Sequence, residues 1–274
     1  MSKDKIVVRG GGDIASGIIN KLSKCGFHLL VLEVPAPTAI RRKVCYGEAV
    51  YEGQVTIEGI TAIKASSLEH IEEIWNEENV PVIIDPKGDY IEKIKPLAVV
   101  DCILAKKNLG MTIDKASITV ALGPGFEAGK DVHAVIETMR GHNLGKVIYK
   151  GCAMENTGVP GEIKGFSKER VIYSPSKGTI KVIKDIGSVV SKDQVIALVG
   201  DKEVRGTIDG VLRGIIRDGF NVWEGLKIAD IDPRLSELDN CFTISDKARA
   251  IAGGVLEAIL FLKNKELERI LKYE

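Results

Sequence analysis

Two stretches of this chain align on each other at a constant offset of 32 residues. GTIKVIKDIGSVVSKDQVIAL (Gly178 to Leu198) falls over GVLRGIIRDGFNVWEGLKIAD (Gly210 to Asp230). Gly178 meets Gly210, Lys181 meets Arg213, Gly187 meets Gly219, Val190 meets Val222, and Ala197 meets Ala229. The glycines supply turns and the alternating aliphatics supply a one-sided strand face. Neither copy is long enough to bury that face alone, so the two are expected to clasp around a shared core. This register predicts a small all-β module over residues 166–235, with helical periodicity absent.

The preceding part has a different rhythm. The runs KIVVR, FHLLVLE, PVIID, LAVVD, SITVAL and KVIYK are rich in Val, Ile and Leu with little alternation, the pattern of strands buried on both faces. Amphipathic segments such as Ile14 to Cys25 and Ser67 to Glu78 lie between several of them. Strands alternating with helices predict an α/β fold with a Rossmann-like, mostly parallel sheet over residues 1–165. Pro35 to Ile63 breaks the rhythm and is expected as an inserted loop or hairpin at one edge. The last segment, ISDKARAIAGGVLEAILFLKNKELERILK, predicts a C-terminal helix within residues 236–274. Ser245 is its N-cap, and Ile251, Val255, Ile259 and Leu260 form a stripe for docking on another element.

Composition narrows the function classes. Lys+Arg and Asp+Glu number 38 each, which leaves no electrostatic case for nucleic acid or an anionic membrane as partner. The opening MSKDKIVVRGGG holds an apolar run too short for a signal peptide or a membrane span. Five scattered cysteines, none spaced CxxC, argue against a disulfide framework or a structural zinc site. A cytoplasmic protein is expected.

Two glycine-rich stretches follow strands. In Arg9-Gly10-Gly11-Gly12-Asp13-Ile14-Ala15, the residues Gly10, Gly12 and Ala15 fit the dinucleotide fingerprint G-x-G-x-x-G/A. Gly10 would allow a tight turn, Gly12 a close approach of backbone to phosphate, and Ala15 close helix–strand packing. Glu33, at the end of FHLLVLE, stands where a carboxylate would reach a ribose hydroxyl. Asp13 sits awkwardly beside a pyrophosphate, and would cap the helix or bind through a cation. A turn of this kind that binds nothing is the plain alternative. The second stretch, Leu122-Gly123-Pro124-Gly125-Phe126-Glu127-Ala128-Gly129-Lys130-Asp131, is expected to emerge on the same sheet edge and open a helix. Gly123, Gly125 and Gly129 would cradle a second anionic group with Arg140 near it; a purely structural loop is an equal alternative.

Other polar residues carry weaker signals. His133 and Glu137 would share a helical face in HAVIETMRGH, yet HExxH is absent and no metal site is expected. Arg140 and His142 flank Gly141. Asp101, Lys106, Lys107 and Asn108 could line the cleft or form a solvated charge run. Cys152, Asn156 and Thr157 follow the last strand, and Cys152 or Cys241 could relay sulfur or selenium or simply fill space. No catalytic set stands out. The repeat invites comparison with lipoyl and biotinyl carrier domains, whose modified lysine lies between two halves; Lys202 occupies that junction, without a Met-Lys-Met or Asp-Lys-Ala context.

The stretches RGGGDIASG, VDCILAKKNLGM, LGPGFEAGKDVHAVIETMRGHNLG, NTGVPG, IADIDPR and ISDKARAIAGGVLEAI run through nearly the whole chain. In them the chain resembles YqeB-type proteins of the selenium-dependent molybdenum hydroxylase system, akin to xanthine dehydrogenase maturation factors. That resemblance implies an accessory factor for a client molybdenum hydroxylase, handling its molybdopterin cofactor or that cofactor's sulfur or selenium ligand. It brings no catalytic residues with it. The combined expectation is a phosphate-bearing ligand, a molybdopterin dinucleotide or NAD(P), along the two glycine loops. An NAD(P)-dependent oxidoreductase is the enzyme alternative, though no Tyr-x-x-x-Lys is present; a carrier domain is the third.

Overall fold

A computed structural model describes residues 3–158 and 161–271, with side chains through residue 265. The chain divides into two compact units. The first comprises Met1–Pro37, Tyr46–Asn156 and Ile244–Glu274; the second comprises Thr38–Cys45 and Thr157–Thr243.

In the first unit the elements run β1 (Lys5–Arg9), α1 (Asp13–Lys24), β2 (His28–Glu33), α2 (Ala49–Glu52), β3 (Gln54–Ile57), β4 (Ile60–Lys64), α3 (Leu68–Asn76), β5 (Val80–Ile84), α4 (Asp89–Ile94), β6 (Ala98–Asp101), β7 (Ile118–Leu122), β8 (Glu127–Ala128), β9 (Ala134–Ile136), β10 (Val147–Ile148), β11 (Gly151–Cys152) and the closing helix α5 (Asp246–Leu271). Nine strands form one sheet in the order β10-β9-β7-β6-β1-β2-β5-β4-β3. It is parallel throughout except for the antiparallel edges β10 and β3. The expected break at Pro35 to Ile63 contains the β3–β4 hairpin at one of those edges.

The missing alternation in the strands has a plain cause. Ile6 and Val8 of β1 face Ile14, Ile18 and Leu22 of α1 on one side. Val7 between them joins Ile71, Ile74 and Trp75 of α3 on the other. Both faces are covered, so the central positions Ile6, Val7 and Val8 are all apolar. Helix α5 docks through the expected stripe, with Ile251, Val255 and Ile259 fully buried, whereas Leu260 stays exposed. It is long and starts at a true cap, since Ser245 Oγ accepts the Ala248 N–H at 3.2 Å. Its sequence continues to Lys272, which lies outside the described residues.

One expected element is absent. HAVIETMRGH is strand β9 followed by turns, instead of a helix. Ala134, Val135, Ile136 and Glu137 are buried between β7 and β10. A short apolar run flanked by neighbours on both sides satisfies strand and helix patterns alike, and pairing decides.

The second unit contains β12 (Val171–Tyr173), β13 (Gly178–Val182), β14 (Val189–Val190), β15 (Val195–Val199), β16 (Lys202–Arg205), β17 (Gly210–Ile215), β18 (Asn221–Val222) and β19 (Lys227–Asp232). The offset of 32 holds at the start of every equivalent strand: β13 with β17, β14 with β18, β15 with β19. The strands make two antiparallel sheets, β12-β19-β17-β14 and β16-β15-β13-β18. Each copy lends its short middle strand to the other, because β14 pairs with β17 and β18 pairs with β13. That exchange encloses one core, with Ile180, Ile196 and Val199 of the first copy packed among Leu212, Ile228 and Ile231 of the second.

Candidate functional site

Strands β1, β6 and β7 are parallel neighbours, so the loops after them leave the same carboxyl edge of the sheet. The order reverses between β1 and β6, since α1 leads to β2 on one side while β6, β7 and β9 continue on the other. Such a switch point is where open parallel sheets leave a crevice for ligands. Gly10, Gly12, Asp13 and Ala15 lie there, at the junction of β1 and α1.

The first glycine loop is tightly built. Gly10 has φ +90°, a conformation that favours glycine, and lies at ordinary contact distance from the backbone of Cys102 and Ile103. Its N–H donates to Leu32 O at 2.8 Å. Gly11 N–H donates to Glu33 Oε1 at 3.3 Å. A turn over Tyr46–Glu48 then closes on the loop, where Gly47 N–H donates to Gly11 O at 2.9 Å. A Cβ at Gly11 would come within 2.6 Å of Gly47 N. Two amides of the loop are therefore engaged inside the protein, and the Glu33 carboxylate is turned onto the loop backbone. Burial, and then the neighbouring Glu48 carboxylate, push the Glu33 pKa up, against the opposing hydrogen bonds from Gly11 and Val34 N–H.

The start of α1 differs. Gly12 is its N-cap, no side chain caps it, and the space beside the Gly12 Cα is open. Ala15 is fully buried beneath, as the fingerprint requires. The N-cap position offers these amides no side chain, because Gly12 has none.

Beside it stands an ionic group that the sequence did not join together. Arg140 forms a two-pronged ion pair with Asp246, at 2.8 and 2.9 Å. Asp246 and Lys247 occupy the first turn of α5. Glu137 is buried and accepts the N–H groups of Met139 and Met154 at 2.7 and 2.8 Å. Lys247 is half-buried among Asp13, Glu137, Arg140 and Asp246. The sequence signal for this grouping is thin: Lys247 reads as an ordinary residue in the first turn of a helix.

The second glycine loop leads into β8 and β9 instead of a helix, so it presents no helix start. Gly125, with φ +107°, packs on backbone, its would-be Cβ 2.6 Å from Lys107 N. A Cβ at Gly123 would meet Thr138 Oγ1 at 2.5 Å. Gly129 is exposed and turns back through Gly129 N–H to Val132 O at 2.8 Å. Arg140 is thus reached through β9, not along a helix, and its guanidinium is committed to Asp246.

The remaining polar residues take structural places. Asp101 is buried against Arg9, at 2.7 Å, and burial pushes its carboxyl up despite that partner. Asn108 closes its own turn, donating to Met111 O at 2.8 Å and accepting Met111 N–H at 2.7 Å. Lys106 and Lys107 are exposed. His133 and Glu137 share no helical face; His133 Nδ1 lies 2.8 Å from Thr119 Oγ1. Among the described residues no group of three or more His, Cys, Asp and Glu is placed to hold a metal ion. Nor is any helix among them long and apolar enough to cross a membrane. Cys152 is exposed on the edge of β11 and Cys241 is buried in the second unit.

A mixed α/β protein with a large, mostly parallel sheet and further antiparallel sheets is what these features define. No protein-family profile matches the chain. It is 49% identical over 260 residues to the uncharacterised protein YqeB of Escherichia coli (strain K12), a stretch covering 95% of this chain and 48% of that protein. The chain therefore spans about half the length of that curated relative. Among solved structures, an aspartoacylase family protein of Mesorhizobium loti shares 11% identity over 84% of this chain and 85% of its own, with a TM-score of 0.26. The apo ectoine utilization protein EutE (DoeB) of Ruegeria pomeroyi shares 9% over 84% and 86%, with a TM-score of 0.24. Likeness at that level bears on neither fold nor function.

Proposed function

We propose that this chain is an accessory factor in the maturation of a selenium-dependent molybdenum hydroxylase, and that it binds a phosphate-bearing ligand, a molybdopterin dinucleotide or NAD(P), at the start of α1. The observation that carries the binding reading is the α1 terminus itself: a Rossmann-like strand–glycine–helix junction at the sheet's switch point, with no side-chain cap and open space at Gly12. Amides at a helix start favour an anion through their N–H groups and the helix dipole. The ligand contact is narrower than the glycine motif promises. It begins at Gly12, because Gly10 and Gly11 are engaged within the loop and Glu33 holds the loop's shape.

The client role rests on the motif resemblance. In this reading the two-copy module of the second unit is a lipoyl/biotinyl-like barrel sandwich that docks the client, supported by the exchange of middle strands between its halves. Lys202 follows the Gly200–Asp201 turn between them and is exposed, so a carrier role is open to a direct check: the intact mass of protein from a lipoylating or biotinylating host. An unmodified mass excludes it.

Titration of the purified protein with NADH and with molybdopterin cytosine dinucleotide, alongside mass spectrometry of small molecules released from protein made in its native host, tests the main proposal. Binding of the molybdopterin compound supports it. NADH binding with turnover would replace it by the oxidoreductase, and no binding of either would remove the phosphate site.

A further inference from the structure

We infer that His28 is a pH-sensitive switch at the amino edge of the nine-stranded sheet: once protonated, it competes with Lys5 for the Glu72 carboxylate and releases the Lys5 ammonium from the Trp75 ring. The inference stands apart from the ligand reading above, since β1 and β2 begin at this edge and the glycine loops leave the other.

Three elements meet at this point. Lys5 opens β1 and His28 opens β2, and the two are direct partners in the parallel register. Trp75 of α3 touches both. Its indole stacks on the His28 ring, with centroids 5.3 Å apart and planes 9° from parallel, and Lys5 Nζ lies 4.8 Å from the Trp75 ring centroid. The indole N–H donates to Leu29 O at 2.7 Å, which ties the ring to β2 beside His28. Two ion pairs frame the stack, Lys5 with Glu72 at 2.9 Å and Lys3 with Glu78 at 3.3 Å. Asp4 is paired with Lys263 instead. While His28 is neutral, the charges facing it are two ammoniums and two carboxylates; a proton on His28 makes three cations against two anions. Lys5 stands directly opposite and takes the repulsion, and its hold on the aromatic face is weak enough to yield. Burial first, then Lys3, hold the His28 imidazole below its usual 6.5; Lys5 adds to them, while Glu72 and Glu78 oppose. The unfolded chain therefore takes the proton more readily than the folded protein. The contribution of neutral His28 is whole above 6.5 and is lost as the pH falls through the folded value.

Nuclear magnetic resonance titration of the full chain from about pH 8 to about pH 5, the span over which histidines change charge, reads both sides of the contact. The His28 imidazole is expected to titrate with a midpoint below 6.5. The Lys5 Hε resonances, shielded by the indole at the start, are expected to move toward those of a free lysine with that same midpoint. His28→Gln, which keeps a neutral polar side chain, is expected to leave the Lys5 resonances shielded throughout. Glu72→Gln is expected to lower the His28 midpoint further and Lys3→Gln to raise it, opposite shifts that a merely structural role would not give. The wild-type titration needs no variant to fold. A His28 midpoint at or above 6.5, Lys5 resonances that do not follow it, or shifts of the same sign in the two charge variants overturns the assignment.

Discussion

The carboxylate of Glu33, at the end of β2, receives the backbone N–H of Gly11, in the loop between β1 and α1, at 3.3 Å. A residue that the sequence places toward a ribose is turned inward, and it shapes the loop on which α1 begins. Its burial raises its pKa from 4.5. The folded protein thus holds the proton more tightly than the unfolded chain does. That stabilisation is whole below about pH 4.5 and fades as the pH rises through the folded value. Glu33→Gln, which keeps an acceptor for Gly11, is expected to flatten stability against pH above about 4.5. Glu33→Ala leaves the Gly11 N–H unanswered and is expected to cost about 1–2 kcal/mol. Urea unfolding of both variants across this pH range is the measurement.

Asp232 shows the opposite sign. It is fully buried in the second unit, bound to Arg213 at 3.0 Å and to Arg234 at 2.8 Å. Burial opposes its charge, but hydrogen bonds from Arg234 and the two guanidiniums outweigh it and bring the pKa down to about 2. Its contribution is present at neutral pH and is lost as the pH falls from the ordinary 3.8 through about 2. Asp232→Ala removes the buried carboxylate that Arg213 and Arg234 share and is expected to cost about 3 kcal/mol near neutral pH. It also weakens the dependence of acid unfolding on pH in that window, followed by far-UV circular dichroism.

The repeat offers an internal control. Gly178 and Gly210 are equivalent positions, yet a Cβ at Gly210 would lie 2.2 Å from Asp232 O, while at Gly178 its nearest neighbour is a Val199 methyl at 3.2 Å. Backbone cannot yield as a methyl can. Gly210→Ala is expected to destabilise by about 2 kcal/mol or more, and Gly178→Ala by about half that or less. Thermal melts of the two variants side by side decide it.

Thiol chemistry reads the burial pattern directly. Cys25 and Cys152 are exposed, while Cys45, Cys102 and Cys241 are buried. Burial, and secondarily Asp101, push the Cys102 thiol up, and burial does the same at Cys241. A disulfide reagent at neutral pH is expected to modify two thiols quickly and three only on unfolding. Fast modification of Cys102 would contradict the packing of β6 on its neighbours.

Much of the fold was legible beforehand. KIVVR, FHLLVLE, LAVVD and SITVAL announce β1, β2, β6 and β7 because strands covered on both faces carry apolar side chains along their central positions. The repeat announces the second unit because two chemically equivalent segments must solve the same packing problem. The misreading fell on HAVIETMRGH. A buried central strand and one stripe of a helix share residue types over so short a run, and only the ladder with β7 and β10 separates them. The candidate site was legible in its β1–α1 half. Its ionic side was not, since Arg140 stands 106 residues from Asp246 and nothing local marks that pair.

By itself the sequence determined which segments prefer strand or helix, where α5 begins, and that one motif occurs twice. These follow from local side-chain sterics and from periodicity, which act over a few residues. The tertiary structure alone decided that Glu33 turns onto Gly11, that Gly125 packs on the Lys107 backbone, and that α5 crosses α1 in backbone contact at Gly17. Those outcomes depend on which surfaces meet at van der Waals distance, a property of the folded whole that no short window of residues contains.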